Sequence, residues 1–492
     1  MAFSLYQSSL FSSIRYQSLK SILGIDNYSL DYFQDGKFYK KIRPGDKIKK
    51  ISKEYKQEPI ESVVNLLKGM GYPAKAYTFK TADFRILSIV RLQAKGGAKI
   101  DPELPQRSLG TKVILLQHGI LDSCDNWIIN EESKSLALVL ANRGYDVWLG
   151  NNRGNKYNLS HGRRWLKPKN FWDFSFQEMG KFDLPAKIEF ILTQTKAETL
   201  TYIGHSQGAT QMFAALSDPK TADFMNSKVK TFVALAPVVY LKHQNSFLMN
   251  LVGKKFNFLK KTAEYFGVYS LLHNTITQNN NQVKVLEALL RLCPPLQHIC
   301  SCFNDLSPVN DNLKRMPIMS KHIPCGVSLK CIDHFMQLLI LNCDRDEEEG
   351  QIFAMYDLGS KEANLKAYGQ EKPPEYDFGL IRTRVRIYVG VDDMLGNQVD
   401  NRILVEKLVE EGVDAKMEVF ERCGHATFLW GLNPGGMFGT IIGEIEGIEV
   451  DVGGDGGAGV RGGGEDEGVG GLGKGLVEGS LGGLRLEGDG RD

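Results

Sequence analysis

The segment TLTYIGHSQGATQMFAAL, at residues 199–216, decides the fold of this chain. It begins with an apolar run that contains Leu200 and Ile203, continues with Gly-His-Ser-Gln-Gly, and ends in an Ala-rich pattern with helical spacing. This order predicts a strand, a sharp turn and a helix, with Ser206 at the turn. Glycines two residues before and two after the serine allow a turn so tight that the serine oxygen projects from the end of the strand. We therefore predict that Ser206 is a nucleophile.

The flanking sequence has to support this prediction, because a lone G-x-S-x-G arises by chance in a chain of 492 residues roughly one time in five. Short apolar runs typical of strands buried in a parallel sheet occur at residues 112–116, 145–149, 230–237, 385–389 and 416–420. Helical patterns alternate with them at residues 133–143, 176–194 and 401–411. This alternation predicts an α/β fold with a mostly parallel sheet and helices on both faces.

Two smaller features precede the first buried strand. A short helix is predicted at residues 62–70, and β-type residues at 76–92 predict an antiparallel hairpin that turns at residues 81–83.

The pattern changes between residues 240 and 375, where no buried-strand signal occurs. Helical segments rich in Leu, Phe and Met are predicted at residues 247–258, 283–292 and 332–341. The chain is therefore divided into a leader and basic connector (1–55), a first core segment (56–239), a helical insertion (240–375), a second core segment (376–450) and a Gly-rich tail (451–492). The tail contains too few apolar residues to form a core and is expected to be disordered.

Composition excludes few function classes but gives no support to nucleic-acid binding, because the formal net charge is only +2. Six of the eight cysteines lie between Cys293 and Cys343, without the C-x2-C spacing of a structural zinc site, so neither a metal nor another cofactor is predicted. Disulfides are expected there if the chain is exported, and buried thiols if it is not.

The N-terminus leaves the compartment open. Residues 1–25 lack the uninterrupted apolar core of a signal peptide, and a transit peptide, an amphipathic surface helix and an irregular leader all remain possible readings. No run of roughly 18 apolar residues occurs, so no transmembrane helix is expected.

A serine nucleophile needs a base, an acid and an oxyanion hole. Only His425 follows the last predicted strand, which makes it the expected base, and the acid should leave the preceding strand, where Asp393 is preferred over Asp392. The oxyanion donors should be the backbone N–H groups of Gln207 and Ile120.

Seven of the other histidines are expected to serve other purposes. His118 and His205 should lie near the site and hold loops rather than transfer protons. A structural or lining role is expected for the five in the insertion, His243, His273, His298, His322 and His334.

Several long motifs, in this order, resemble the acid lipase family, the group of lysosomal acid lipase and gastric lipase. They are LQHGILDSCDNW (116–127), GYDVWLGNNRGN (144–155), FWDFSFQEMGKFDLPAKIEFIL (171–192), IGHSQG (203–208) and GVDDMLG (390–396). The resemblance implies an α/β-hydrolase fold with a cap over the site, and hydrolysis of water-insoluble esters such as triacylglycerols or sterol esters. It also implies the triad Ser206, Asp393 and His425, with Gln207 and Ile120 as oxyanion donors, and so favours Asp393 over Asp392.

The chain departs from the family pattern in three places. Thr427 stands where the family usually has an acid two residues after the histidine, the N-terminus lacks a clear signal peptide, and the Gly-rich tail has no counterpart. The resemblance nevertheless implies a lysosomal or secreted protein.

The insertion also bears on partners. Its apolar residues would either cover the acyl site and contact a lipid droplet or membrane surface transiently, or pack a small core of their own; they include Phe247, Leu248, Leu251, Val252 and Phe258. Two alternatives to a lipase remain: an esterase for soluble esters, and a non-catalytic lipid-binding protein that retains the fold.

Overall fold

The computed structural model describes residues 31–34, 37–40, 60–96, 112–162, 166–246, 249, 256–272, 310–346 and 349–447. The leader before residue 31, the predicted helix at 283–292 and the Gly-rich tail at 451–492 lie outside the described residues. Within the described part, no helix is both long enough and apolar enough to span a bilayer.

A nine-stranded sheet forms the centre of the described chain. Its strands are β3 (Ala74–Lys80), β4 (Arg85–Leu92), β5 (Val113–Gln117), β6 (Asp146–Gly150), β7 (Ser160–His161), β8 (Leu200–His205), β9 (Val229–Leu235), β12 (Arg384–Gly390) and β13 (Ala415–Phe420). Their order is β13-β12-β9-β8-β5-β6-β4-β3, with the short β7 paired to β4. The five strands from β13 to β5 and the pair β5–β6 are parallel, whereas β4 is antiparallel to both β6 and β3. A separate antiparallel ribbon joins β1 (Asp31–Gln34) and β2 (Lys37–Lys40).

Helices connect and cover these strands. They are α1 (Glu61–Gly69), α2 (Leu136–Asn142), α3 (Pro168–Phe171), α4 (Phe176–Glu178), α5 (Leu184–Thr195), α6 (Gln207–Ser217), α7 (Ala222–Lys228), α8 (Phe256–Tyr265), α9 (Met316–His322), α10 (Leu329–Cys343), α11 (Lys361–Tyr368), α12 (Gln398–Glu410), α13 (Thr427–Trp430) and α14 (Gly435–Glu446). The predicted mostly parallel α/β fold is therefore confirmed.

Strand β5 shows why an apolar run predicts a central strand. Its side chains point alternately to the two faces of the sheet, as the period of two requires. Val113 and Leu115 belong to the hydrophobic core on one face, and Ile114 and Leu116 belong to the core on the other. Because both faces are covered by helices, the four residues from Val113 to Leu116 are all apolar, and the buried polar Gln117 stands only at the end of the strand.

The predicted elements differ from the observed ones mainly at their ends. The hairpin forms as expected, with β3 antiparallel to β4 around residues 81–83. The predicted helix at 133–143 divides into a 3-10 turn, Glu132–Lys134, and α2. The long predicted helix at 176–194 contains a π-helical segment, Met179–Asp183, between α4 and α5. Gly180 in this segment packs so tightly on α6 that an added Cβ would lie 2.7 Å from the carbonyl oxygen of Gln211.

The region between residues 240 and 375 is mainly helical where it is described, with α8, α9, α10 and α11. It also contains a short strand pair where no buried-strand signal occurs, since β10 (Ser270–Leu271) pairs with β11 (Val327–Ser328). Two residues are too few to produce a recognisable periodic pattern. Most of the helix predicted at 247–258 lies outside the described residues, and within them α8 covers Phe256–Tyr265. The division of the chain into domains stays a prediction.

Candidate active site

Ser206 lies between β8 and α6 in a backbone conformation that a non-glycine residue rarely adopts. Its φ is 54° and its ψ is −123°, and its side chain is buried. Neighbouring glycines make this turn possible. An added Cβ at Gly204 would lie 2.7 Å from the backbone nitrogen of Ala209, and one at Gly208 would lie 2.4 Å from the carbonyl oxygen of Gln117. The strained turn is the structural signature of a nucleophile elbow.

Asp393 and His425 lie on the loops that follow β12 and β13. Nδ1 of His425 is 3.0 and 3.1 Å from the two carboxylate oxygens of Asp393. The backbone N–H groups of Leu395 and Gly396 also donate to Asp393 Oδ1, at 2.9 and 2.6 Å. Asp392, the alternative acid, is exposed. The carboxylate of Asp393 therefore orients the imidazole of His425.

His425 is held beside the elbow by the residue that precedes Ser206. Nε2 of His205 lies 2.9 Å from the backbone oxygen of His425, and the two imidazole centroids are 5.0 Å apart. Because this bond requires a donor, His205 carries its proton on Nε2. Burial, followed by the charge of His425, lowers the pKa of His205 to about 3, so the ring is neutral at physiological and lysosomal pH.

The loop after β5 approaches the serine from the other side. An added Cβ on Gly119 would lie 3.0 Å from Cβ of Ser206. Ile120, the next residue, lines the same small cleft as Gln207. Among the described residues, neither the N–H of Ile120 nor that of Gln207 has a hydrogen-bond acceptor. Two such N–H groups at one cleft can donate hydrogen bonds to an oxyanion and stabilise its negative charge.

His118 holds this loop as a neutral ring. Its Nε2 accepts a hydrogen bond from the backbone N–H of Asn152 at 3.0 Å, so its Nδ1 carries the proton and donates to the carbonyl of Gly119 at 2.8 Å. Burial lowers the pKa of His118 to about 3.

The cleft combines residues of the core and of the predicted insertion. Phe174 and Met179 line it from the core, and Gly326 and Val327 line it from the insertion. The insertion also contacts the elbow, because the thiol of Cys331 donates to Oε1 of Gln207 at 2.9 Å. Burial raises the pKa of Cys331 well above its ordinary value, so it remains a thiol.

A buried carboxylate, Asp125, joins the insertion to the loop that follows Ile120. Nδ1 of His322 lies 2.6 Å from Oδ2 of Asp125, and Nζ of Lys156 lies 2.6 Å from the same oxygen. The hydroxyl of Tyr157 donates to the carboxylate at 2.8 and 2.9 Å. Burial raises the pKa of Asp125, but Lys156 and His322 outweigh this effect and hold the pKa well below its ordinary value.

Two more of the insertion histidines are bound to described residues, whereas His273 and His298 lie outside the described part. His334 is fully buried, and its ring nitrogens lie 3.0 Å from Ser175 Oγ and 3.0 Å from the carbonyl oxygen of Ala354. His243 pairs with Asp400 at 2.7 Å.

Thr427, the departure from the family pattern, begins α13 next to the candidate base. Its hydroxyl accepts a hydrogen bond from the N–H of Gly424 at 2.9 Å. The side chain therefore fixes the loop that carries His425 without adding a charge.

Sequence reasoning missed the buried polar groups beneath the cleft. The guanidinium of Arg153 pairs with the carboxylates of Asp183 and Asp83, at 2.5 and 2.7 Å. Nζ of Lys187 donates to Oε1 of Gln117. One signal in the sequence was available. Lys187 occupies a core-facing position of α5, because Leu184 lies three residues before it, and Ile188 and Ile191 lie one and four residues after it.

Comparison with known proteins gives two family matches. Residues 112–337 match a family described as the α/β-hydrolase fold, and residues 63–131 match a partial α/β-hydrolase lipase region. A putative lysosomal acid lipase/cholesteryl ester hydrolase from Crotalus adamanteus is 33% identical over 76% of this chain and 87% of its own. Gastric triacylglycerol lipase from Rattus norvegicus is 34% identical over 74% and 86%, and lipase lipl-3 from Caenorhabditis elegans is 33% identical over 77% and 90%.

Proposed function

Since this chain belongs to the acid lipase family of α/β-hydrolases, which includes lysosomal acid lipase and gastric lipase, we propose that it is a serine hydrolase that cleaves the carboxylic esters of water-insoluble lipids. Its substrates under this proposal are triacylglycerols or sterol esters. Ser206 is the nucleophile, His425 the base, Asp393 the acid that orients the base, and the N–H groups of Gln207 and Ile120 are the oxyanion donors.

The observation that carries this proposal is the hydrogen-bonded pair of Asp393 and His425 beside the strained turn at Ser206. The pair is brought there by loops after two different strands, and His205 joins it to the elbow through the backbone oxygen of His425. Parallel strands present their carboxyl ends at one edge of a sheet, which is where ligands bind in open α/β sheets. The order serine, aspartate, histidine along the chain is that of an α/β-hydrolase triad.

The first half of the reaction forms an acyl-enzyme. Because Asp393 binds Nδ1 of His425, the proton of the neutral ring is on Nδ1, and the lone pair of Nε2 is the one that can accept a proton. Nε2 removes the hydroxyl proton of Ser206 as its oxygen attacks the ester carbonyl. The carbonyl oxygen becomes negative and is stabilised by the N–H groups of Gln207 and Ile120. His425 then gives its proton to the leaving alcohol.

The second half releases the fatty acid. Water enters, His425 takes its proton, and the resulting hydroxide attacks the acyl carbonyl, so that the same donors stabilise a second oxyanion. Collapse of this intermediate returns the proton to Ser206. Throughout, the buried carboxylate of Asp393 stabilises the positive imidazolium without accepting its proton.

The cleft is lined by polar residues, such as Asn152, Asn155 and Arg153, as well as apolar ones, and its apolar part supports a lipid substrate. Ile120, Leu121, Phe174, Met179 and Val327 present apolar side chains next to the oxyanion donors. On the insertion, Phe258 and Tyr265 are 74% and 86% exposed on α8, which is unusual for large aromatic side chains. We propose that this helix contacts the surface of a lipid droplet or a membrane while the substrate enters the cleft.

The compartment is proposed from the family alone. The names of the relatives include a lysosomal and a gastric enzyme, which suggests that this protein acts in lysosomes or after secretion.

A fluorophosphonate probe tests the nucleophile. Wild-type protein should label, and Ser206→Ala should not; equal labelling of the two would refute the assignment. Hydrolysis of emulsified triolein and cholesteryl oleate, compared with that of a dissolved short-chain ester, then tests the substrate class. Activity on the dissolved ester alone would identify a soluble-ester esterase, and no turnover of any of the three would favour a lipid-binding protein.

A further inference from the structure

Lys187 is a buried cation that the reaction does not use directly. It lies on the core-facing side of α5 and has no exposed surface. Among the described residues, no carboxylate forms an ion pair with its ammonium group, and Asp183, one turn earlier, is bound by Arg153. The hydrogen-bond acceptor of Lys187 is the side-chain oxygen of Gln117, the last residue of β5. A lysine without a carboxylate partner is rarely buried unless it is required there.

A chain of hydrogen bonds runs from Lys187 to the oxyanion loop, which is the segment from His118 to Ile120 that follows β5. Nε2 of Gln117 donates to Oδ1 of Asn152 at 3.0 Å. The backbone N–H of Asn152 donates to Nε2 of His118 at 3.0 Å, and Nδ1 of His118 donates to the carbonyl of Gly119 at 2.8 Å. The chain ends at the peptide group between Gly119 and Ile120.

This last peptide group contains one of the two oxyanion donors. In a planar trans peptide the C=O of Gly119 and the N–H of Ile120 point in opposite directions. A hydrogen bond that fixes the carbonyl of Gly119 therefore also fixes the direction of the N–H of Ile120. The position of His118 consequently decides whether that N–H points into the cleft.

We propose that Lys187 is a positioning residue for the oxyanion hole, acting through Gln117, Asn152 and His118 on the N–H of Ile120. The inference rests on the proposed function, because it concerns the hole in which that reaction forms its oxyanion.

The chemistry of lysine explains why it suits this position. An amide side chain can rotate by half a turn and exchange its donor and acceptor. The charged ammonium group of Lys187 can only donate hydrogen bonds, so it binds the carbonyl end of the Gln117 side chain. The NH2 end of that side chain therefore faces Asn152. Both side chains also pack closely against Gly150, since an added Cβ on Gly150 would lie 2.4 Å from Oε1 of Gln117 and 3.1 Å from Nζ of Lys187.

The arrangement should persist over the pH range of a lysosome and of the cytosol. Burial lowers the pKa of Lys187 to about 8, and the charge of Asp183 opposes this effect. The lysine therefore remains mainly protonated at pH 7 and below, and it donates to Gln117 throughout that range.

Steady-state kinetics on a dissolved p-nitrophenyl ester test the proposal with Lys187→Met, which keeps the length of the side chain but removes the donor. Complete removal of an oxyanion donor lowers kcat by about 10²–10³-fold. A donor that is misdirected but still present should lose less, and we expect kcat to fall about tenfold while KM stays within about twofold, because the ground-state ester depends little on the hole. The amplitude of the initial burst of p-nitrophenol gives the concentration of competent sites. Dividing the steady-state rate by this concentration keeps unfolded protein out of kcat.

Two further variants make the test specific. Ile188→Val removes a methylene from the next residue of the same buried helix, and it should lower the melting temperature without changing kcat. Gln117→Glu keeps an acceptor for Lys187 but removes the donor to Asn152, and it should lower kcat as Lys187→Met does. This variant carries the test if Lys187→Met does not fold.

The outcomes separate the two proposals. The positioning role would be overturned if both Lys187→Met and Gln117→Glu kept the wild-type kcat per competent site. It would also be overturned if the two variants lowered only the melting temperature. Absence of turnover in the wild type would instead contradict the proposed function.

Discussion

Nδ1 of His425 lies 3.0 Å from Oδ2 of Asp393, whereas Asp392, its neighbour in the chain, is exposed to solvent. Two adjacent carboxylates of the same chemistry thus differ in their surroundings. Asp393 is buried and accepts hydrogen bonds from two backbone N–H groups as well as from the imidazole. The pair provides a matched comparison for the orienting acid.

We expect Asp393→Asn to reduce kcat by about 10⁴-fold, because an amide cannot stabilise the imidazolium and favours the wrong tautomer of His425. Asp392→Asn should leave kcat within about twofold of the wild type, since surface substitutions away from such sites have small effects. Hydrolysis of a dissolved p-nitrophenyl ester by both variants measures the difference. Equal losses in the two variants would contradict the assignment of Asp393.

The glycine after the elbow supports a second prediction. At Gly208 an added Cβ would lie 2.4 Å from the carbonyl oxygen of Gln117 and 2.9 Å from that of His118, both of which are backbone atoms. Gly208→Ala should therefore push α6 away from the oxyanion loop and destabilise the protein by about 1–3 kcal/mol. It should also lower kcat, because the N–H groups of Gln207 and Ile120 move apart.

Gly436 is the control for this substitution. It lies in α14 with no atom within 4 Å of an added Cβ. Gly436→Ala should stabilise the helix by about 0.5–1 kcal/mol and leave kcat unchanged. Urea unfolding and ester hydrolysis give both quantities, and a stable, active Gly208→Ala variant would show that the close packing at the elbow is not required.

Much of this site could be predicted from the sequence because each part has a local signature. The elbow has glycines at fixed positions around Ser206, and Asp393 and His425 each follow an apolar strand pattern. Their convergence follows from the parallel sheet, which brings the ends of those strands together. The proposed oxyanion donors, Gln207 and Ile120, were predicted from the same geometry.

Other parts could not be predicted because they depend on contacts between distant segments. Nothing in the local sequence pairs Lys187 with Gln117, which lies 70 residues earlier, or His322 with Asp125, which lies 197 residues earlier. The π-helical segment before α5 was also missed. Its residues have ordinary helical patterning, and packing of Gly180 on α6 accompanies the wider turn.

Buried neutral histidines make the stability of the protein depend on pH. Burial lowers the pKa of His334 to about 3, whereas an unfolded histidine titrates near pH 6.5. Between these values the unfolded chain binds a proton that the folded protein does not, so the free energy of unfolding falls as the pH falls below 6.5. One such group contributes about 1 kcal/mol per pH unit in this range.

His334→Gln should therefore be less stable than the wild type at pH 7 but lose less stability between pH 6.5 and pH 5. Glutamine keeps a donor and an acceptor for Ser175 and the carbonyl of Ala354, but it does not titrate. Urea unfolding at both pH values measures the two slopes. Parallel slopes for the variant and the wild type would show that His334 does not stay neutral in the folded protein.

The cluster around Asp125 joins the insertion to the oxyanion loop, and its removal should affect both stability and the insertion. Asp125→Asn leaves the ammonium of Lys156, which lies 2.6 Å from the carboxylate, buried without its counter-charge. Breaking a buried ion pair in this way costs about 3–5 kcal/mol. The substitution also removes the negative charge that attracts His322 and leaves a single acceptor oxygen for His322, Lys156 and Tyr157, so hydrogen exchange of amides in residues 316–325 should become faster. Because the pKa of Asp125 is held below its ordinary value, the stabilisation is complete above about pH 4 and is lost only as the pH falls further. Asp125 is therefore ionised in both the folded and the unfolded protein between pH 5 and pH 7.

Asp223→Asn is the control, since Asp223 pairs with Arg382 at 3.3 Å on the surface and should contribute little. Hydrogen exchange in residues 316–325 should be faster in Asp125→Asn than in Asp223→Asn. If it is not, Asp125 does not hold the insertion on the core.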